Sequence, residues 1–142
     1  MPFEEAVMDF PIKYINTFPP NVTYSFWHLL EHIRITQWDI LDFSKNSDYK
    51  YIKWPDDYWP AKRAKASKKD WDKTLRLIKS DLDKMIQLIK DQKNDLYKPF
   101  PWGEGQNLFR EAILIANHNA YHIGEFAILR QVLNLWPKSR KN

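Results

Sequence analysis

The sequence predicts an all-α fold, a four-helix bundle with a long crossover between the second and third helices, and three observations support that prediction. Only 3 of the 142 residues are glycine, too few for the many tight turns of a β-sandwich or barrel. The 9 prolines leave long uninterrupted stretches in which apolar residues recur with a helical period. With 44% hydrophobic residues, including 7 Trp, 7 Tyr and 8 Phe, the chain carries enough apolar material for one core and is not composed like a disordered segment. Its length suits a single domain over residues 1–142.

Each element follows from local signals. Phe3 to about Phe18 has room for a short helix, broken at Pro11 and closed by Pro19-Pro20. A second helix opens at Ser25, a good N-cap, and runs to the polar stop Ser44-Lys45-Asn46-Ser47. Residues 47 to 66 hold Tyr49, Tyr51, Trp54-Pro55, Tyr58 and Trp59-Pro60 with neither a helical nor a strand period, which makes an aromatic crossover. Two readings of it stand: satellite core capping one end of the bundle, or the lining of a pocket mouth. Ser67-Lys-Lys-Asp70 resembles a capping box with Asp in the usual Glu position, ahead of a third, amphipathic helix ending at about Lys93. After the Pro99-Phe-Pro-Trp-Gly103 loop, a fourth helix runs from near Asn107 to about Leu135, before Trp136-Pro137. Apolar residues on almost every side of it predict a buried helix.

Charge and composition exclude several function classes. The net charge of +4 is not gathered into a nucleic-acid arm, and no helix carries clustered base-reading arginines, so a DNA-binding role finds no support. With no cysteine, disulfides, thiolate metal sites and a cysteine nucleophile are ruled out. Neither a basic segment leading into an apolar run at the start nor a membrane-length apolar stretch is present, so a soluble, cytoplasmic protein is the expectation.

All four histidines fall into i, i+4 pairs, His28 with His32 and His118 with His122. On a helix such pairs share a face and can converge on one ion, for which imidazole suits Zn, Ni, Cu or Fe. On a wheel of about 100° per residue, His32 borders the apolar arc of the second helix while His28 is displaced toward solvent, and Asp39 lies between them in angle. Asp39 reads as a solvated charge in preference to a carboxylate supporting a ligand. On the fourth helix His118, His122, Glu125 and Glu111 form one polar stripe. Burying two imidazoles and a carboxylate without partners costs several kcal/mol, and a metal ion between the second and fourth helices satisfies them. Three His ligands leave a coordination position open, as in catalytic zinc sites.

Three motifs in order, Ser25-Phe-Trp-His-Leu-Leu-Glu-His32-Ile, Lys53-Trp-Pro-Asp-Asp-Tyr58-Trp-Pro60 and His118-Asn-Ala-Tyr-His122-Ile-Gly124, resemble the DinB/YfiT-like superfamily of metal-binding four-helix bundles. The likeness runs from about Val22 to Trp136. It implies that His32, His118 and His122 bind a divalent metal, Zn or Ni, and that a low-molecular-weight thiol serves as cosubstrate where the reaction is an S-transfer. Relatives of this type include thiol-dependent S-transferases, an isomerase and metal-dependent hydrolases, and homodimers are common among them. Glu125 departs from the uncharged residue expected there, and is a candidate catalytic base, ligand or orienting group. The expectation is thus a metal-dependent S-transferase or hydrolase acting on a small molecule, with no nucleic-acid or membrane partner. The alternative is a non-catalytic, metal-stabilised bundle that binds a small ligand or a protein.

Overall fold

The computed structural model describes residues 1–137, which form four α-helices and no β-strand. They are α1 (Phe3–Val7), α2 (Phe26–Lys45), α3 (Lys68–Lys90) and α4 (Leu108–Val132), with short 3₁₀ turns at Ile12–Tyr14 and Asp56–Tyr58. No helix among the described residues is long and apolar enough to cross a membrane.

Capping sets where the long helices begin. Ser25 Oγ accepts from the backbone N–H of His28 and opens α2. Ser67 and Asp70 make the reciprocal capping box that opens α3, and Asn107 caps α4 through the N–H of Arg110. The C-termini fall short of the sequence expectation by about three residues, and asparagines explain both. Asn94 donates from Nδ2 to the Leu88 carbonyl at 2.9 Å, which occupies a carbonyl of the last turn of α3. Asn134, at φ 56°, turns the chain left-handed after α4, and the Leu135 N–H then closes on the Arg130 carbonyl at 3.0 Å.

The main core joins Phe26, Leu29, Leu30 and Ile33 of α2 to Trp71 and Ile78 of α3 and Phe126 of α4. The N-terminal segment, although helical only over Phe3–Val7, completes this core: Phe10 stands 4.7 Å from Phe26, 5.0 Å from Trp71 and 5.4 Å from Phe126 between ring centroids. A second cluster, Ile40, Leu41, Met85, Leu108 and Ile115, fills the other end.

Helix α4 corrects the expectation of a helix buried all round. Leu108, Glu111, Ile115, Phe126 and Arg130 are its buried residues, whereas Phe109, Ile113, Leu114, Tyr121, Ile128 and Val132 are exposed. The reason is geometric: α2 and α3 cover two sides of α4, and five-residue α1 is too short to cover a third.

Candidate metal centre

Helices α2 and α4 pack side by side, which brings His32 of α2 against His118 and His122 of α4. One ring nitrogen from each falls within 4.8 Å of the others, so the three form a group that could hold a metal ion. His32 Nε2 and His118 Nε2 are 3.2 Å apart, close to the ~3.3 Å between neighbouring nitrogens of a tetrahedral zinc site.

Hydrogen bonds fix the tautomers that matter. His32 Nδ1 lies 2.9 Å from the Tyr58 carbonyl, which can only accept, so Nδ1 carries the proton and Nε2 presents a lone pair. His122 Nδ1 lies 2.7 Å from Glu125 Oε2 and donates to that carboxylate, which leaves its Nε2 as the lone pair. His118 Nδ1 is buried next to the Asn119 side chain, and its Nε2 faces His32. Burial, with His122 and His32 adding to it, pushes the His118 imidazole down to about 4. Burial lowers His32 as well, in spite of its bond to the Tyr58 carbonyl. Both rings are therefore neutral at pH 7, the form that ligates a cation.

Aromatic rings and a carboxylate surround the histidines. Trp59 lies flat on His32 at 3.9 Å between centroids, with 3° between planes. Tyr24, just before the α2 cap, contacts Trp59 at 5.2 Å and donates its hydroxyl to Glu125 Oε1. Burial works against charge on Glu125, but the bonds from His122 and Tyr24 outweigh it and hold the carboxyl below its ordinary range. On the outer side, Tyr121 meets His122 edge-on at 4.8 Å and is 72% exposed.

Two sequence expectations need correction. Asp39 is buried, not solvated: Oδ1 accepts from the Tyr49 hydroxyl and Oδ2 from the Tyr58 hydroxyl, each at 2.6 Å. It thereby anchors the crossover whose Tyr58 carbonyl holds His32. His28 is not turned to solvent but 3% exposed, because residues 46–67 fold over that flank of α2. Its Nε2 donates to the Ala61 carbonyl at 3.1 Å and its Nδ1 accepts from Ser25 Oγ at 2.6 Å, so neither nitrogen is left for an ion.

Glu125 lies beside the group through His122, while Glu111, buried farther up the stripe, pairs with Arg110. In the segment between α2 and α3, Trp59 packs on the main core as well as on His32, while Tyr51 and Trp54 face solvent. The sequence reading missed Tyr24 and the Tyr58 carbonyl. Tyr24 carries a faint signal as an aromatic directly preceding a helix cap; a backbone carbonyl carries none. Comparison with known proteins finds no matching family model, no similar curated protein and no similar solved structure.

Proposed function

We propose that this chain is a DinB-like, divalent-metal-dependent enzyme, a thiol S-transferase or hydrolase, with Zn or Ni held by His32, His118 and His122. The observation that carries this reading is the pair of Nε2 lone pairs, on His32 and His122, fixed by backbone and carboxylate acceptors and converging with His118. Three nitrogen ligands leave a position open, and an ion there lowers the pKa of a thiol or water and so supplies a nucleophile near neutral pH. The chain's own groups do the rest. Tyr58 and Glu125 set the orientation of His32 and His122 and strengthen them as donors. Each oxygen of Glu125 accepts one hydrogen bond and keeps a second lone pair, at which it can take the proton released by the nucleophile. Trp59 shields His32, and Tyr121 provides an exposed ring against which a small substrate can rest.

Elemental analysis of purified protein tests the ion, and His→Ala at each of the three positions should abolish stoichiometric metal. Unchanged metal content in His32→Ala would overturn the assignment. A chelator should lower the melting temperature of the wild type and leave the three variants unaffected. A conjugation screen with small thiols and electrophiles then tests turnover. Glu125→Gln should keep the ion and lose turnover; loss of the ion would instead make Glu125 a ligand. Metal binding without turnover in any screen favours the second reading, a non-catalytic domain in which Trp59 closes over a structural ion.

We also propose that the exposed side of α4 is covered by a second copy of the chain. From Ala112 to Val132 its charged residues are Glu125, engaged with His122 and Tyr24, and Arg130, which is buried, so no charge opposes self-association.

A further inference from the structure

Tyr24 touches both of the arms that hold the histidines in place. It directly precedes Ser25, outside α2 and α4, the helices that carry the three histidines. Two local bonds fix where the chain enters α2: the cap that Ser25 Oγ makes on the His28 N–H, and the bond from the Trp27 N–H to the Ile15 carbonyl at 2.9 Å. The Tyr24 side chain is thereby set, half-buried, against Glu125 of α4 and Trp59 of the segment that joins α2 to α3.

One of these contacts is polar. The Tyr24 hydroxyl donates to Glu125 Oε1, while His122 Nδ1 donates to Oε2 of the same carboxylate at 2.7 Å. Several rotatable bonds precede the planar carboxylate of a glutamate, so a single bond from His122 leaves that plane free to pivot. A second bond, on the other oxygen, removes this freedom. Tyr24 and Glu125 are 101 residues apart in sequence, so the anchor comes from outside the helix that carries both Glu125 and His122. The other contact is between rings. Tyr24 lies 5.2 Å from Trp59 between centroids, and Trp59 lies on His32 at 3.9 Å with 3° between planes. An indole held against two rings slides less than one held against a single ring, and it limits the tilt of the His32 imidazole about its bond to the Tyr58 carbonyl.

We infer that Tyr24 is a positioning residue for the metal centre: its hydroxyl keeps Glu125 on His122 and its ring keeps Trp59 on His32, so that one side chain aligns two of the three ligands. The inference rests on the three-histidine reading given above. A tie between the start of α2 and α4 also serves folding alone, and in that case the histidines are indifferent to the hydroxyl. What Tyr24→Phe changes separates the two roles.

Zn titration against a competing chelator, combined with ¹⁵N NMR of the histidine rings in the metal-free protein, tests the inference. Tyr24→Phe keeps the ring and removes only the hydroxyl. It should weaken Zn binding about tenfold, as expected for a group that orients a metal ligand. In the metal-free wild type the His122 ring nitrogens should report the Nδ1–H tautomer alone. In Tyr24→Phe the Nε2–H tautomer should appear beside it, a change that a merely weaker fold does not produce. In a Glu125→Ala background, Tyr24→Phe should cost less than about twofold in Zn affinity, because the hydroxyl acts through the carboxylate. Tyr24→Leu, which removes the ring as well, should bind Zn at least about threefold more weakly than Tyr24→Phe. A wild type that binds no Zn would overturn the metal reading and this inference with it. Where the wild type binds Zn, four results would each overturn the inference and leave the metal reading standing: unchanged affinity in Tyr24→Phe, an unchanged His122 tautomer, the same loss with and without Glu125, or equal affinity in the Phe and Leu variants.

Discussion

His28 and His32 stand one turn apart on α2, and what separates them is their partners. Both are 3% exposed, yet His32 uses one ring nitrogen on a backbone carbonyl and keeps the other, whereas His28 uses both. His28→Gln should therefore leave metal stoichiometry unchanged while lowering the melting temperature by several degrees, since a glutamine amide cannot span Ser25 and Ala61 together and loss of a buried bond costs ~1–3 kcal/mol. Loss of the ion in that variant with retention in His32→Gln would reverse the two roles. The i, i+4 pairing of all four histidines was legible in the sequence; the burial of His28 was not, because a wheel describes one helix and residues 46–67, which cover this flank, belong to another part of the chain. Glu111 gives a second prediction. Burial raises its pKa, with Arg110 only partly offsetting. A carboxyl whose pKa is raised on folding binds its proton more tightly in the native state, so its contribution is fully present below the unfolded value of 4.5 and is lost as pH rises through the folded one. Glu111→Gln should thus melt a few degrees above wild type at pH 7, and the gain should vanish below about pH 4. Equal melting temperatures at pH 7 would mean that Arg110 fully compensates the buried charge.

At the scale of elements, caps and breakers were readable and tertiary closure was not. Ser25, Ser67 and Asn107 announce their helices because the capping bond is local, within three residues. The ends of α3 and α4 escaped because Asn94 and Asn134 act beyond the apolar pattern, one through its side chain and the other through its left-handed backbone. The connection from Asn46 to Ser67 lacked a period, and its conformation is set by partners distant in sequence: Asp39 takes the hydroxyls of Tyr49 and Tyr58, and Asn16 exchanges two bonds with the backbone of Ala66 at 2.9 and 2.8 Å. Asp39→Ala leaves two tyrosine hydroxyls without their acceptor. Trypsin should then cut after Lys50 or Lys53 at least tenfold faster than in wild type. Zinc affinity should fall by about 10- to 100-fold, because the Tyr58 carbonyl that orients His32 loosens with its ring. Unchanged cleavage and affinity would show that the crossover is held by ring packing alone.

For the molecule as a whole, the composition of α4 implied a buried helix, and in a single copy one of its sides remains open. Tyr121 is 72%, Ile128 66% and Val132 59% exposed, and Ile113 and Leu114 exceed 40%. Along the middle of that side run Asn117, Ala120, Gly124 and Gln131, also exposed and mostly small, so a second helix can approach closely between larger flanking residues. The large side chains expose on the order of 600 Å² of apolar surface, and the small ones bring the side toward the ~800 Å² per partner of a standard interface. A two-fold arrangement of α4 against α4 satisfies this, since the same patch then serves both copies. Sedimentation or light scattering should give a dimer for the wild type. Ile128→Glu, at an exposed position away from both the histidines and the core, should give a folded monomer, because pairing by a two-fold axis would desolvate two like charges at once. A monomeric wild type at 100 μM, about the concentration at which such an interface should already be filled, would leave the exposed side of α4 to a different partner and remove the dimer from this account.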